Sequence, residues 1–366
     1  MTIYIAGGFM KKNHLLKNLL LINFSFLFLC CCKNQLSPKS LFSEKEGEQE
    51  QYSDFSGTKK SRVSIACWNV QTFFDAVSDG NEYTDFKNSS KWTKEKYVKR
   101  LSKLCEVMTM LNSDIIVLEE IENEAVVQDI VNRFTEGVWD QKKSWQYACF
   151  SKEKDSAIGC AVFSRFELSN LTVHSLDVRV HKEKQPSSRP LMQVTAHIGQ
   201  KELTLFVNHW KSKSGGEEET EIWRDWQESV LAQRIHSMSI EGYEKNPIVM
   251  CGDFNRSVED FTLQNGSKAK EGIKVVLRGT DGVLVESVSP WLRKNGSFTT
   301  EIGSYFFDGN WERIDNFFFL GDIVVNSFCP VTEPPLADEK SIPQGYNIYT
   351  DSGCSDHLPL KCEIII

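Results

Sequence analysis

Residues 249–257, VMCGDFNRS, set two apolar residues and a cysteine directly before Gly252, Asp253, Phe254 and Asn255. The run from Pro247 to Phe254 reads as a buried strand. It nevertheless ends in a carboxylate and a carboxamide, both costly to desolvate unless something pairs with them. The same event recurs along the chain. Asn69 ends RVSIACWNV, Glu119 and Glu120 end DIIVL, and Asn208 and His209 end LTLFV, while Asp315 opens NFFFL and Asp356-His357 precedes LPL. Rigid strands can aim side chains from distant sequence positions into one cleft, so the recurrence points to a single site built on a β scaffold.

The elements between these ends follow from periodicity. Thr93 is placed to cap a helix running to about Asn112, because Tyr97, Leu101, Leu104, Met108 and Leu111 recur at helical spacing. A second helix is expected over Glu124–Phe134 and a third from about Glu221 to Glu241. WQYACFS, AIGCAVFSRF, LMQVTAHI, ELTLFVNHW and LPLKCEIII read as strands, with a hairpin turn at Gly199-Gln200. Strands outnumber helices and the helices are interspersed, which predicts a layered α/β architecture of two sheets faced by helices.

The 366-residue chain has enough hydrophobic content, 40%, for a sizeable core, and its formal charge is -8. A polyanionic substrate must therefore meet a local basic patch against the global field. The N-terminus reads as a targeting segment: Lys11 and Lys12 precede LLKNLLLINFSFLFL, which ends at Cys30-Cys31-Cys32. A cysteine at that point predicts a bacterial lipoprotein signal over 1–32, with Cys32 favoured over Cys31 and Cys30 as the lipidated residue and Met10 an alternative start. The competing reading, a plain membrane anchor, is opposed by an apolar core short of the ~20 residues that spanning needs. Residues 33–61, polar and without apolar periodicity, are expected to be a flexible tether, and 62–366 a single catalytic domain. The expected location is outside the cytoplasm, held to a membrane by lipid and facing the periplasm or cell surface, or secreted. The remaining cysteines show no C-x-x-C spacing, so buried thiols are expected, with Cys329 and Cys354 as candidates for pairing.

Carboxylates, carboxamides and histidines form an oxygen-rich set suited to a hard divalent cation such as Mg2+, and histidines supply proton transfer near neutral pH. Together they suggest metal-assisted hydrolysis of a phosphate ester. Any one of these residues has an ordinary structural reading, a turn cap for Asp253 and Asn255 or a solvated strand end for Glu120; their combination, in this order, carries the inference.

From ACWNV to SDHLPL the chain resembles the endonuclease/exonuclease/phosphatase superfamily, most specifically in GDFN and SDH. That superfamily includes deoxyribonucleases, abasic-site endonucleases, inositol polyphosphate 5-phosphatases and neutral sphingomyelinases. The resemblance implies a four-layered α/β sandwich in which two mainly antiparallel β-sheets pack face to face with helices outside. It implies Asn69, Glu120 and Asp356 around the metal, with Mg2+ expected and Mn2+ or Ca2+ as alternatives. By the same resemblance Asp253 orients or deprotonates the attacking water and Asn255 holds a phosphate oxygen. His357, oriented by Asp315, contacts the scissile phosphate, and His209 protonates the leaving oxygen. Arg189, Asn208 and Lys211 are implied as phosphate-binding residues. Two positions depart from the pattern: Gln71 stands where abasic-site enzymes often carry Asp, and Glu119 stands where Gln is usual.

VNHWKSKSGG resembles a segment of secreted bacterial nucleases, where Lys211 and Lys213 would meet outlying phosphates and Trp210 would stack a base. The expected protein is thus a metal-dependent nuclease acting on DNA or RNA, a monomer with no protein partner indicated. A sphingomyelinase-type phospholipid phosphodiesterase and a non-catalytic surface lipoprotein are the alternatives.

Overall fold

The computed structural model describes residues 3–5, 8–9, 52–53, 59–87, 90–136, 144–154, 156–176, 189–240, 246–261 and 275–366. Most of the expected leader at 1–32, its three cysteines included, and most of the tether at 33–61 lie outside the described residues.

The first sheet is built from Arg62–Phe73 (β1), Ile115–Ile121 (β2), Tyr147–Ser151 (β3) and Gly159–Ser164 (β4). The second takes Glu167–His174 (β5), Leu191–Ile198 (β6), Lys201–His209 (β7) and Ile248–Asp253 (β8). Two hairpins follow, Val275–Arg278 (β9) with Leu284–Ser287 (β10), and Tyr305–Phe307 (β11) with Asn310–Glu312 (β12). Asp315–Leu320 (β13) then completes the second sheet, and Val324–Pro330 (β14) and Leu360–Ile365 (β15) return to the first. The first sheet runs β14-β15-β1-β2-β4-β3, continued past β3 by Ile3–Ile5 and Gly8–Phe9, and the second runs β13-β8-β7-β6-β5. Each sheet holds one parallel pair, β1 with β2 and β7 with β8, among antiparallel neighbours.

Alternation explains the layering. Ile65 and Cys67 of β1 join an apolar core shared with the second sheet, whereas Ala66 and Trp68 face a separate core formed with two helices. Those helices are Lys94–Leu111 (α1) and Glu124–Glu136 (α2). On α1 the Thr93 hydroxyl accepts the Lys96 N–H at 3.4 Å, and Asn112, in the left-handed region at φ 45°, ends the helix by donating to Met108 O. The third helix, Glu217–Ile240 (α3), packs through Leu231, Ala232 and Ile235 against the second sheet. The result is the sandwich that the resemblance implied, helices outside and two sheets within.

Differences from the expected elements have physical reasons. Helix α3 starts earlier than Glu221 because Glu217, Glu218 and Glu219 occupy its first turn, where negative charge is favoured. Strand β14 was not expected: it is an edge strand with little apolar alternation, held by backbone pairing to β15. Cys329, on that exposed edge, and Cys354, buried elsewhere, are both free thiols rather than a pair.

Candidate active site

His209, Asp253 and Asp315 stand side by side on three adjacent strands, because the registers of β7, β8 and β13 pair His209 with Asp253 and Asp253 with Asp315. Opposite them, β1 and β2 pair Asn69 with Glu119 at the corresponding end of the first sheet. Glu120, one residue on, would by alternation face the helices. It is turned into the cleft by a bulge: the register shifts between Asn69 and Phe73 and again between Glu119 and Ile121, with Gln71, Thr72 and Glu120 at φ 53°, 47° and 66°. Non-glycine residues in the left-handed region cost stability and persist where their surroundings hold them. Here Arg100 of α1, buried, donates to the carbonyls of Val70, Gln71 and Thr72.

The side chains then converge. The Asn69 Nδ2 donates to Glu120 Oε1 at 3.2 Å and to Asp253 Oδ2 at 3.1 Å, joining the two sheets. The Thr72 N–H donates to Glu120 Oε2 at 2.5 Å. His209 Nε2 lies 3.6 Å from Glu120 Oε1 and 3.8 Å from Asp253 Oδ2. His357 Nδ1 bonds Asp315 Oδ2 at 2.8 Å, a second bridge between the sheets. Asp253, Asp315 and His357 each place a ligand atom within 4.8 Å of the others. Glycine at 252 is required by space: at φ 135° a Cβ there would lie 1.9 Å from Asn208 O.

Burial governs the charges. Desolvation, reinforced by Asp315, raises Asp253 to about 7. Burial depresses His209, and Arg189 and His357 add like charge, so its imidazole is held well below its ordinary value. His357 is also buried, but Asp315, with Asp356 and Asp253 beyond, outweighs that and holds it well above the ordinary range. The two buried histidines are thus pushed in opposite directions, His357 towards the imidazolium and His209 towards the neutral ring.

The expected residues are not all placed alike. Asn69, Glu120, His209, Asp253, Asp315 and His357 meet. Asn255 follows them at φ 47°, its N–H donating to Asp253 Oδ1 at 2.8 Å and its Nδ2 to Trp210 O at 3.2 Å. Arg189 lies at the rim, its Nη1 3.5 Å from Trp210 O and its guanidinium bonded to the Tyr83 hydroxyl. Asp356 acts through its charge on His357 and Tyr305.

Asn208 does not join the phosphate-binding set. It sits one residue before His209 on the same strand, so it points to the other face, where its Nδ2 donates to Phe206 O and Cys251 O and its Oδ1 accepts from Trp210 Nε1. Lys211 spends its ammonium on Ser212 O, Ser212 Oγ and Ser214 O, and Lys213 pairs with Glu217 and Glu312. Lys211 thus closes its own loop, and Lys213 ties that loop to the first turn of α3 and to β12. Trp210, 2% exposed, packs against Phe254 and Phe261 and presents no face to a base. Held towards the neutral ring, His209 keeps a single N–H to donate, whereas His357 is held towards the imidazolium.

Sequence reading missed three contributors. Gln71 accepts the N–H groups of Tyr346 and Asp356 at 2.7 and 3.2 Å, so where Asp was expected an amide ties down the loop that carries His357. Ser355 Oγ donates to Asn69 O at 2.6 Å and accepts the His357 N–H, securing the same loop. Tyr305 lays its ring 4.8 Å from that of His357. SDH flags the serine; nothing in the sequence flags the tyrosine.

The donor set fits a hard cation. Glu120 Oε1 keeps lone pairs beyond its Asn69 bond, every nearby anionic group is a carboxylate, and a bound cation would offset both the burial and the Asp315 repulsion that raise Asp253.

Residues 64–330 match the family model described as the Endonuclease/Exonuclease/phosphatase family. No curated protein sequence matches the chain. Among solved structures, truncated Caenorhabditis elegans TDP2 aligns at 15% identity and a TM-score of 0.51 over 83% of this chain and 98% of its own. A Bacteroides thetaiotaomicron endonuclease/exonuclease/phosphatase family protein gives 14% identity and 0.50 over 84% and 99%. ANGEL2, a 2′,3′-cyclic phosphatase, gives 13% identity and 0.51 over 84% and 95%. At these identities the likeness is one of fold.

Proposed function

The chain belongs to the endonuclease/exonuclease/phosphatase family, and from that premise we propose that it is a metal-dependent phosphodiesterase that cleaves DNA or RNA outside the cytoplasm. The observation that carries the reading is the meeting of Glu120, His209 and Asp253 with the Asp315–His357 ion pair in one cleft between the sheets. Glu120 is the principal residue that would hold the cation, with Asn69 and Asp356 in support; Mg2+ is the ion that this oxygen-rich set favours, and it would supply Lewis-acid polarisation of the phosphate.

The remaining work falls to the chain. Asp253, raised to about 7, takes a proton from the attacking water near neutral pH. His357, kept cationic by Asp315, offers positive charge and a proton on the opposite nitrogen from the one Asp315 holds. Asn255 has a second amide hydrogen for a phosphate oxygen, since the first goes to Trp210 O. Neutral His209 donates a hydrogen bond without adding charge, and Arg189 supplies cationic charge at the rim. The basic, apolar, cysteine-ended leader supports export and lipid anchoring.

The test is plasmid nicking by the purified protein. Mg2+ should support nicking and chelation should abolish it. Release of phosphocholine from sphingomyelin without nicking would replace nucleic acid by phospholipid as the substrate, and inactivity on both would reject the enzymatic reading.

A further inference from the structure

A second acidic group lies apart from the catalytic cleft. Asp79, Glu82 and Glu122 each offer a carboxylate oxygen within 4.8 Å of the other two, and none of them belongs to the Asp253, Asp315 and His357 group. Glu82 and Glu122 are 4% and 1% exposed, which sets this cluster apart from an ordinary acidic surface patch.

The hydrogen bonds around the cluster shape a loop, 75–82, and leave one oxygen over. Glu122 Oε2 accepts the Asp75 N–H at 2.5 Å. Glu82 folds back on its own loop, Oε2 accepting the Gly80 N–H at 3.0 Å and Ser78 Oγ at 3.1 Å, and Oε1 accepting the Asp79 N–H. Lys87 holds the loop from outside, its ammonium 2.6 Å from Gly80 O. Glu122 Oε1 is buried and has no hydrogen-bond partner. An unpartnered carboxylate oxygen is among the most costly atoms to bury, and two further carboxylates beside it deepen the cost unless a cation joins them.

We propose that Asp79, Glu82 and Glu122 form a structural calcium site that pins loop 75–82 to the end of β2. The ligands are all hard oxygens, and their spacing is what an ion with bonds of about 2.3–2.6 Å would span. Three carboxylates from an irregular loop suit the variable coordination of Ca2+ better than the near-ideal octahedron that Mg2+ demands. The loop leads into Tyr83, whose hydroxyl bonds Arg189 at the rim of the cleft, so the site would fix one wall of that cleft without touching the reaction.

The test uses the full chain carrying Glu120→Gln, which removes the principal carboxylate of the catalytic cleft, with Tb3+ as the probe. Trp92, its indole bonded to Asp75 O at the base of the loop, is placed to sensitise emission. Emission should be displaced by Ca2+ but not by equal Mg2+, and Ca2+ should raise the melting temperature. Glu122→Gln and Asp79→Asn should each weaken Tb3+ binding by about a hundredfold or more and abolish the Ca2+-dependent rise. Glu122→Gln should also melt higher than its parent in chelator, since it removes a buried carboxylate held beside two others, which guards against misreading a folding defect. Emission that survives Glu122→Gln, emission absent from the Glu120→Gln protein, or equal displacement by Mg2+ would each overturn the site.

Discussion

At the residue scale, the proposed chemistry rests on opposite treatment of two buried histidines. His209 and His357 are both desolvated, but His357 has Asp315 on one nitrogen at 2.8 Å, whereas His209 Nδ1 has no partner and its Nε2 reaches carboxylates only at 3.6 and 3.8 Å. A carboxylate bonded to imidazole stabilises the imidazolium, and burial without one favours the neutral ring. His357→Ala should therefore lower turnover by about 10²–10⁴-fold, the range for loss of a positioned acid, and also lower the melting temperature, because it strands the buried Asp315 carboxylate. Near-normal turnover in that variant would remove His357 from the reaction. The GDFN and SDH motifs made Asp253 and His357 legible from sequence. The protonation states were not, because they depend on neighbours as distant in sequence as Asp315 is from His357.

At the element scale, the decisive feature is the distorted end of β1 and β2. Without the bulge Glu120 would face α1, and what maintains it is Arg100, which serves three consecutive carbonyls while its guanidinium stacks 3.8 Å from the centre of the Tyr346 ring. Arg100→Met keeps the apolar stem but strands those carbonyls. We expect a loss of about 2–4 kcal/mol in denaturant unfolding, and a drop in activity larger than stability alone explains, because Thr72 also holds Glu120 Oε2. Unchanged activity in a folded Arg100→Met protein would show that the bulge holds itself. Sequence periodicity located α1 and its Thr93 cap correctly, yet Arg100 reads there as one more polar residue among apolar ones.

At the scale of the whole molecule, the cleft is the seam between two sheets, and Glu119 lies deep within it. Fully buried, it accepts from Cys67 Sγ at 3.0 Å through one oxygen and leaves the other unpartnered. Burial is the main cause that raises its pKa well above that of a free carboxyl, with Asp315 and Asp253 adding like charge. A folded protein that holds this proton above the pH at which the unfolded chain releases it must lose stability as pH rises. Glu119→Gln should remove that slope: the variant should melt higher than wild type at about pH 8 and converge with it towards about pH 4. Parallel melting curves for the two proteins across that range would show Glu119 to be ionised in the fold. The same residue stands where the resembling enzymes usually carry Gln, a departure visible in sequence but without meaning until its burial is known.

Local pattern was enough to determine the three helices, the Thr93 cap, most strands of the two sheets, the two-sheet class and the residues GDFN and SDH, because periodicity, turn chemistry and short motifs depend on neighbours a few residues apart. Only the tertiary structure decided that Asn208 turns away while Glu120 turns in, that Lys211 closes its own loop while Lys213 ties it to Glu217 and Glu312, and that Asp79 and Glu82 meet Glu122. Those outcomes hang on bulges, strand register and burial, which are set by contacts between segments that the sequence keeps far apart.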